Sequence, residues 1–224
     1  MMNITYLGHA SFKVEADGKT VYVDPWLNGP TSPIKVKDVD KADIVLVTHD
    51  HGDHGYSEAL EICKKTGAYF VAINELAIQA REQGGVKNVH TLNIGGSVDI
   101  DGVTVTLVQA FHSCGVGAPT GFIVRFPSGT FYHPGDTGVF ASMKLFGQIY
   151  KPDVFFAPIG SYYVMDVHQA TKATEIIKPR VVIPMHYDTF PVIQADPAEF
   201  KRLVNKQVPE VKVEIVKPGE IVEV

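Results

Sequence analysis

The segment Thr48-His49-Asp50-His51-Gly52-Asp53-His54 places three imidazoles and the Asp53 carboxylate within six residues. Imidazole nitrogen and carboxylate oxygen are the donors that a borderline divalent metal such as Zn²⁺ takes. A loop this short cannot easily point all four groups at one ion, so a pair of adjacent ions is the more economical arrangement. The bland alternative is a polar surface loop that happens to contain histidines, and the His-x-His-x-Asp-His spacing favours metal over it. More ligand-type residues follow at the ends of predicted strands: His112, Asp136 within Pro134-Gly135-Asp136-Thr137-Gly138, and His186. Taken singly, each is more readily a capping or solvated residue. Taken together and in this order, they could be gathered at one edge by neighbouring strands.

Those strands are legible as short apolar runs. Asn3–Leu7, Phe12–Ala16 and Thr20–Asp24 read as strands, with Asp17-Gly18 as a hairpin turn between the last two. Asp43–Thr48 is a continuous apolar run, the pattern of a strand covered on both faces, and the histidine-rich loop follows it directly. Ser57–Thr66 reads as a helix whose apolar face holds Ala59, Ile62 and Cys63 and which Gly67 ends. Strand Tyr69–Ile73 leads into a second helix with Asn74 as its N-cap and Gly84 beyond its end, and Val89–Leu92 is a further strand. In the second part, Ser97–Ile100, Val103–Ala110, Gly121–Phe126 and Thr130–His133 are strands joined by turns at Asp101-Gly102 and Pro127-Ser128-Gly129. Val139, Met143, Phe146 and Tyr150 form one helical stripe. Strands Asp153–Ala157 and Val181–Ile183 flank a helix from about Asp166 to Ile177. Asp196-Pro197-Ala198-Glu199 opens the last helix, with Glu199 placed to bond back to the cap, and strands Lys212–Val216 and Ile221–Val224 follow. Strands first and helices after, twice over, predict two mixed sheets packed face to face with helices outside, an α+β (αββα) sandwich in one domain spanning residues 1–224.

Composition narrows the function classes. With 20 Lys+Arg against 25 Asp+Glu the formal net charge is −5, which gives no general attraction to nucleic acid or anionic lipid. The longest apolar run, Ala68 to Ile73, is far too short to span a bilayer, and the first residues lack a basic start and an apolar signal core. Two cysteines, Cys63 and Cys114, cannot build a disulfide framework, so the cytoplasm is the expected location. The expected partner is a small-molecule substrate, with no nucleic acid and no membrane; a homo-oligomer stays open.

On these motifs the sequence resembles the metallo-β-lactamase-fold hydrolase superfamily across essentially its whole length. The likeness rests on Asp24 at a strand end, His49-x-His51-x-Asp53-His54, His112, Asp136 and His186, in that order. Leu7-Gly8-His9-Ala10-Ser11, Asp24-Pro25-Trp26 and Gly135-Asp136-Thr137-Gly138 resemble the short lactonase-like branch, related to ascorbate-6-phosphate lactonase and N-acylphosphatidylethanolamine phospholipase D. The resemblance implies the four-layer sandwich and two divalent ions. His49, His51 and His112 would bind one, and Asp53, His54 and His186 the other, with Asp136 bridging. Asp24 would orient a ligand histidine through a hydrogen bond. His9, close to the metals in that branch, would serve as a base, acid or substrate contact. Two-zinc β-lactamases usually carry cysteine where Asp136 stands. The oxygen donor makes a harder site, with Zn²⁺ first and Mn²⁺, Fe²⁺ or Ni²⁺ open, and disfavours antibiotic hydrolysis.

The expected activity is therefore a dinuclear metal-dependent hydrolase in which a metal-bound hydroxide, oriented by Asp53 and Asp136, cleaves a small ester or lactone. A phosphodiesterase on the same site is the alternative. Arginines that would clamp a phosphate, Arg81, Arg125, Arg180 and Arg202, stand away from the ligand motifs in sequence. No Gly-x-Ser-x-Gly turn exists to supply a serine nucleophile. Histidine at position 51 argues against a di-iron redox protein, and the acidic charge argues against an RNA-processing module. Gly115–Thr120 and Asp188–Ala195 are expected to be substrate loops. Blander roles fall to His168 (solvated), His90 (without partners), His133 (packed beneath Asp136), Cys114 (loop packing), Cys63 (core), and Lys35 and Lys37 (solvated).

Overall fold

The computed structural model describes residues 1–224. Its first half contains β1 (Asn3–Gly8), β2 (Ser11–Ala16), β3 (Lys19–Val23), β4 (Ile44–Leu46), α1 (Tyr56–Thr66), β5 (Tyr69–Ile73), α2 (Asn74–Glu82) and β6 (Val89–Leu92). The second contains β7 (Ser97–Ile100), β8 (Val103–Gln109), β9 (Thr120–Phe126), β10 (Gly129–His133), α3 (Met143–Tyr150), β11 (Val154–Pro158), α4 (Val167–Ile177), β12 (Val181–Met185), α5 (Pro197–Gln207), β13 (Lys212–Val213) and β14 (Ile221–Glu223). Two seven-stranded sheets result, ordered β14-β1-β2-β3-β4-β5-β6 and β13-β12-β11-β10-β9-β8-β7.

Both sheets follow one plan. β14, β1, β2 and β3 pair antiparallel, and β3 to β6 pair parallel. β7 to β10 likewise pair antiparallel, and β10 to β13 parallel. The repeat of elements legible in the sequence is thus a repeat of sheet architecture, and it places β1 and β8, and β3 and β10, at equivalent positions. The tight turns are as expected: Asp17 and Gly18 have φ of 50° and 78°, and Asp101 and Gly102 have 50° and 89°, the left-handed pair that matches strand twist in a two-residue hairpin.

Alternation of side chains sorts the core into layers. Along β11, Val154 and Phe156 face the other sheet while Phe155 and Ala157 face the helices α3 to α5. β10 does the same with Phe131 and Tyr132, and β12 with Ile183 and Val182. Phe12 of the first sheet stacks on Phe156 of the second at 4.0 Å between ring centroids. Leu76, Ala77 and Ala80 on α2 and Ala59 and Ile62 on α1 bury against the outside of the first sheet. The layer order is helix, sheet, sheet, helix.

Strand Asp43–Thr48 is pared to Ile44–Leu46 and Val181–Ile183 runs on to Met185, and four further departures from expectation have a physical reason. β13 stops at Val213 instead of Val216. After the Glu214 N–H donates to Val182 O at 3.0 Å, the next bond of this parallel ladder needs an N–H at position 184, and Pro184 has none. Val139 precedes α3, its N–H donating to Gln169 Oε1 at 3.4 Å. Ile73, the last residue of β5, occupies the cap position of α2, so Asn74 already lies in the helix. Asp196 caps α5 through Ala198 N–H, but Glu199 turns forward to pair with Arg202 at 2.6 Å and does not bond back.

Candidate metal centre

All the candidate donors lie at one edge of the sandwich, where strands of both sheets end. His9 follows β1, Asp24 follows β3, and the His49–His54 loop follows β4. From the second sheet, His112 follows β8, Asp136 follows β10 and His186 follows β12. Backbone and side-chain bonds tie the two sheets at this edge: Thr120 N–H to Thr48 O at 3.1 Å, His186 N–H to His9 O at 2.8 Å, and His133 Nε2 to Ala10 O at 2.9 Å. His133 thus packs beneath the centre as expected. His9, Asp24 and His186 all adopt left-handed backbone conformations, with φ of 55°, 45° and 56°, which non-glycine residues adopt only when their surroundings enforce it. Gly135 (φ 62°) lets Asp136 enter the seam. A Cβ there would stand 2.6 Å from Thr120 O and 2.9 Å from Thr48 Cβ.

Two donor groups meet at Asp136. His49 Nε2 and His112 Nε2 approach His51 Nδ1 to 3.0 and 3.3 Å. On the other side His54 Nε2 and His186 Nε2 approach the two Asp136 oxygens to 3.3 and 3.1 Å. The donor atoms of His49, His51 and His112 lie within 4.8 Å of one another, as do those of His9, Asp53, His54 and His186, and those of His49, His54 and Asp136. The residues fit a metal. His54 Nε2, Asp136 Oδ1 and His186 Nε2 are buried polar atoms without a hydrogen-bond partner, a costly state that a shared cation relieves. The three imidazole nitrogens of His49, His51 and His112 face one another, with His112 Nε2 also 3.5 Å from Asp136 Oδ2, and fit the same explanation.

The supporting contacts fix ring orientation. Asp24 is fully buried. It accepts from Thr48 N–H at 2.8 Å, Thr48 Oγ1–H at 2.7 Å and His54 Nδ1–H at 2.7 Å, which leaves His54 Nε2 aimed at Asp136. Thr48 Oγ1 also faces His49 Nδ1 at 3.0 Å, so a tautomer with a free Nε2 is favoured at His49 as well. Burial opposes charge on His54, yet Asp136 and Asp24 together outweigh it and hold the imidazole pKa well above its usual value. Burial would raise Asp136, but His186 and His54 pull its carboxyl well below the ordinary range. Burial, reinforced by His54, lowers His49 to about 2. It also lowers His9 to about 4, against the pull of Asp53. Neutral His9 then donates Nε2–H to Asp53 Oδ2 at 3.2 Å and accepts at Nδ1 from the Thr189 hydroxyl at 3.0 Å.

An open cleft of about 500 Å³ leads to this edge, lined by His51, Asp53, Ser113, Asp136, Tyr163, His186, Phe190 and Val192. The sequence anticipates Phe190 and Val192 within Asp188–Ala195, but not Ser113 or Tyr163. Gly115–Thr120 is not a cleft wall: Asp50 Oδ1 accepts Gly115 N–H at 2.7 Å, and Val116 and Ala118 pack on the core. Asp50, silent as a donor in the sequence reading, is the residue that fastens this loop. Lys35 donates to Leu27 O and, like Lys37, does not line the cleft. His168 is exposed and Cys63 buried. His90 lies in β6 and stacks on Tyr69 at 5.2 Å, a partner the sequence does not show.

Comparison with known proteins gives the family. The beta-lactamase superfamily domain matches residues 3–186. A UPF0173 metal-dependent hydrolase of Methanopyrus kandleri is 48% identical over 98% of both chains. The chain belongs to the UPF0173 metal-dependent hydrolases. A second member, from Caldivirga maquilingensis, is 46% identical over 97% of this chain and 96% of its own. Among solved structures, a metallo hydrolase from the archaeon Ignicoccus hospitalis superposes with a TM-score of 0.92 at 42% identity, covering 99% of this chain and 97% of that one. The two mixed sheets flanked by helices are therefore the metallo-β-lactamase fold, and membership assigns a metal-dependent hydrolase. No helix is long and apolar enough to cross a membrane.

Proposed function

We propose that this UPF0173 hydrolase uses two divalent ions to open a small ester or lactone. His49, His51 and His112 would hold one, Asp53, His54 and His186 the other, and Asp136 would lie between them. The observation that carries this reading is the convergence of both donor groups on Asp136, with the facing atoms of His54, Asp136 and His186 buried and unpartnered. When bound, a pair of divalent ions supplies Lewis acidity toward the scissile oxygen and makes water a nucleophile near neutral pH. The chain's own groups do the rest. Asp24 and Thr48 orient His54 and His49, and Gly135 admits Asp136 to the seam. Neutral His9 donates Nε2–H beside the donors, where that N–H can stabilise charge developing on the substrate. Asp53, one-quarter exposed, is the carboxylate that a substrate in the cleft meets first. The donor set, five imidazoles and two carboxylates with no thiolate, admits Zn²⁺ first, and Mn²⁺, Fe²⁺ or Ni²⁺.

A carboxylic ester is favoured over a phosphodiester because no lysine or arginine lines the cleft to clamp a phosphate. The test is metal analysis of protein reconstituted with Zn²⁺ or Mn²⁺, together with assays on lactones, bis-p-nitrophenyl phosphate and β-lactams. Two ions per chain and metal-dependent lactone turnover are expected. One ion at most, or turnover by metal-stripped protein, would overturn the two-ion reading. Preference for the phosphate diester would transfer the activity to phosphodiester cleavage.

A further inference from the structure

We infer that Tyr163, Phe190 and Val192 receive an uncharged apolar arm of the substrate, making neutral alkyl- or aryl-substituted lactones and esters the preferred class. This rests on the hydrolytic reading above and names the part of the substrate remote from the scissile bond. The donors account for His51, Asp53, Asp136 and His186 in the cleft; apart from Ser113, what remains of its lining is these three side chains. They come from two separate segments, the β11–α4 and β12–α5 connections, and both segments line the same cleft. Tyr163 and Val192 leave 53% and 50% of their surface exposed. Apolar surface held open beside a polar centre favours burial against an apolar ligand.

The wall is pre-formed. The turn carrying Tyr163 is closed by Ser161 N–H to Met165 O at 2.9 Å and Val164 N–H to Ser161 O at 2.7 Å. Met165 N–H then fixes it to Thr137 O at 3.1 Å, next to Asp136. Ser161 and Tyr162 hold left-handed φ values of 58° and 27° to make that turn, a cost typical of functional loops. Phe190 is backed by Trp26 at 5.9 Å and His9 at 5.5 Å between ring centroids. Val192 sits in a short turn closed by Ile193 N–H to Phe190 O at 3.1 Å. A substrate arm meeting such a wall loses little entropy in the protein. A charged arm would instead be desolvated with no lysine or arginine among the lining residues to pair with it.

The experiment follows kcat/KM along γ-lactones carrying alkyl chains from methyl to octyl, with metal-loaded protein. Burial of each methylene predicts a rise of roughly twofold to fourfold per carbon until the wall is covered. Tyr163→Ala and Phe190→Ala should flatten that slope, while Tyr163→Phe should keep it, since the ring and not the hydroxyl does the packing. Metal content and melting temperature of each variant check that the centre and fold are intact. A flat slope in the unmodified protein, an unchanged slope in both alanine variants, or preference for a phosphate-bearing lactone over its alkyl counterpart would overturn the inference while leaving lactone hydrolysis standing. Failure on every lactone with cleavage of bis-p-nitrophenyl phosphate would instead remove the ester reading on which it rests.

Discussion

Replacing Asp24 by asparagine should weaken metal binding without changing the size or shape of any side chain at the centre. Asp24 Oδ1 serves Thr48 N–H alone, and that bond survives on an amide oxygen. Oδ2 serves both Thr48 Oγ1 and His54 Nδ1, each at 2.7 Å, and in the variant this position becomes an NH₂ donor. The threonine hydroxyl can turn to accept. His54 cannot, unless the ring gives up its Nδ1 proton and carries it on Nε2, the atom that faces Asp136. A proton on Nε2 blocks its use as a metal donor. Loss of such an orienting partner typically costs 10- to 100-fold in metal affinity, about 1.4 to 2.8 kcal/mol. A competition titration against a chromophoric chelator measures it directly, and wild-type affinity for both ions in Asp24→Asn would refute the reasoning. The metal-free proteins give a second reading. Burial opposes charge on His54, but Asp136 and Asp24 raise its pKa well above the ordinary imidazole value of 6.5. The stability from that imidazolium is therefore complete below about pH 6.5 and is lost as pH rises through the raised value. The gap in melting temperature between metal-free wild type and Asp24→Asn should accordingly narrow toward alkaline pH.

Three further outcomes are expected. His9→Ala should retain its full metal content while turnover falls at least tenfold, in keeping with the ~10²–10³-fold typical of losing one positioned hydrogen-bond donor; lost metal or wild-type turnover would reject the role. Cys114→Ser should leave metal content and turnover nearly unchanged, because burial and then Asp50 push the thiol pKa up and better donors surround the centre. Gly135→Ala should lower stability by about 1–3 kcal/mol in chemical denaturation, since its Cβ would meet Thr120 O at 2.6 Å in a left-handed backbone; an unchanged midpoint would show that the seam yields.

Most of the centre was legible because its donors stand where apolar runs end, and strand ends follow from those runs. The strand ends marked His49, His112, Asp136 and His186 as candidates, and the motif order shared with the metallo-β-lactamase-fold hydrolases joined the two sheets' donors into one set. The doubled plan of the two sheets was legible as an order of elements, but not the return of β14 to pair with β1, since Ile221–Glu223 carries no mark of its partner. The cleft wall was harder to read. Tyr163 sits in a turn set by Ser161 and Tyr162, and no periodicity points at it. Gly115–Thr120 has the glycine content of a mobile loop, and its fastening by Asp50, by core packing of Val116 and Ala118 and by Thr120 N–H to Thr48 O is not written in the segment itself. Glu199 shows a local choice between two satisfying partners, in which Arg202 took the carboxylate.

Because β4 carries part of the donor set and β8, β10 and β12 the rest, the centre also records how the two sheets sit on each other. Each strand end projects its donor to a defined face, and a slip of one residue in pairing would turn that side chain away. A chain whose halves have each folded but docked out of step would offer three imidazoles on one side and little opposite them. Tight metal retention is therefore expected only of chains whose two sheets are correctly seated. Refolding followed by metal retention should separate the two populations where secondary structure alone would not.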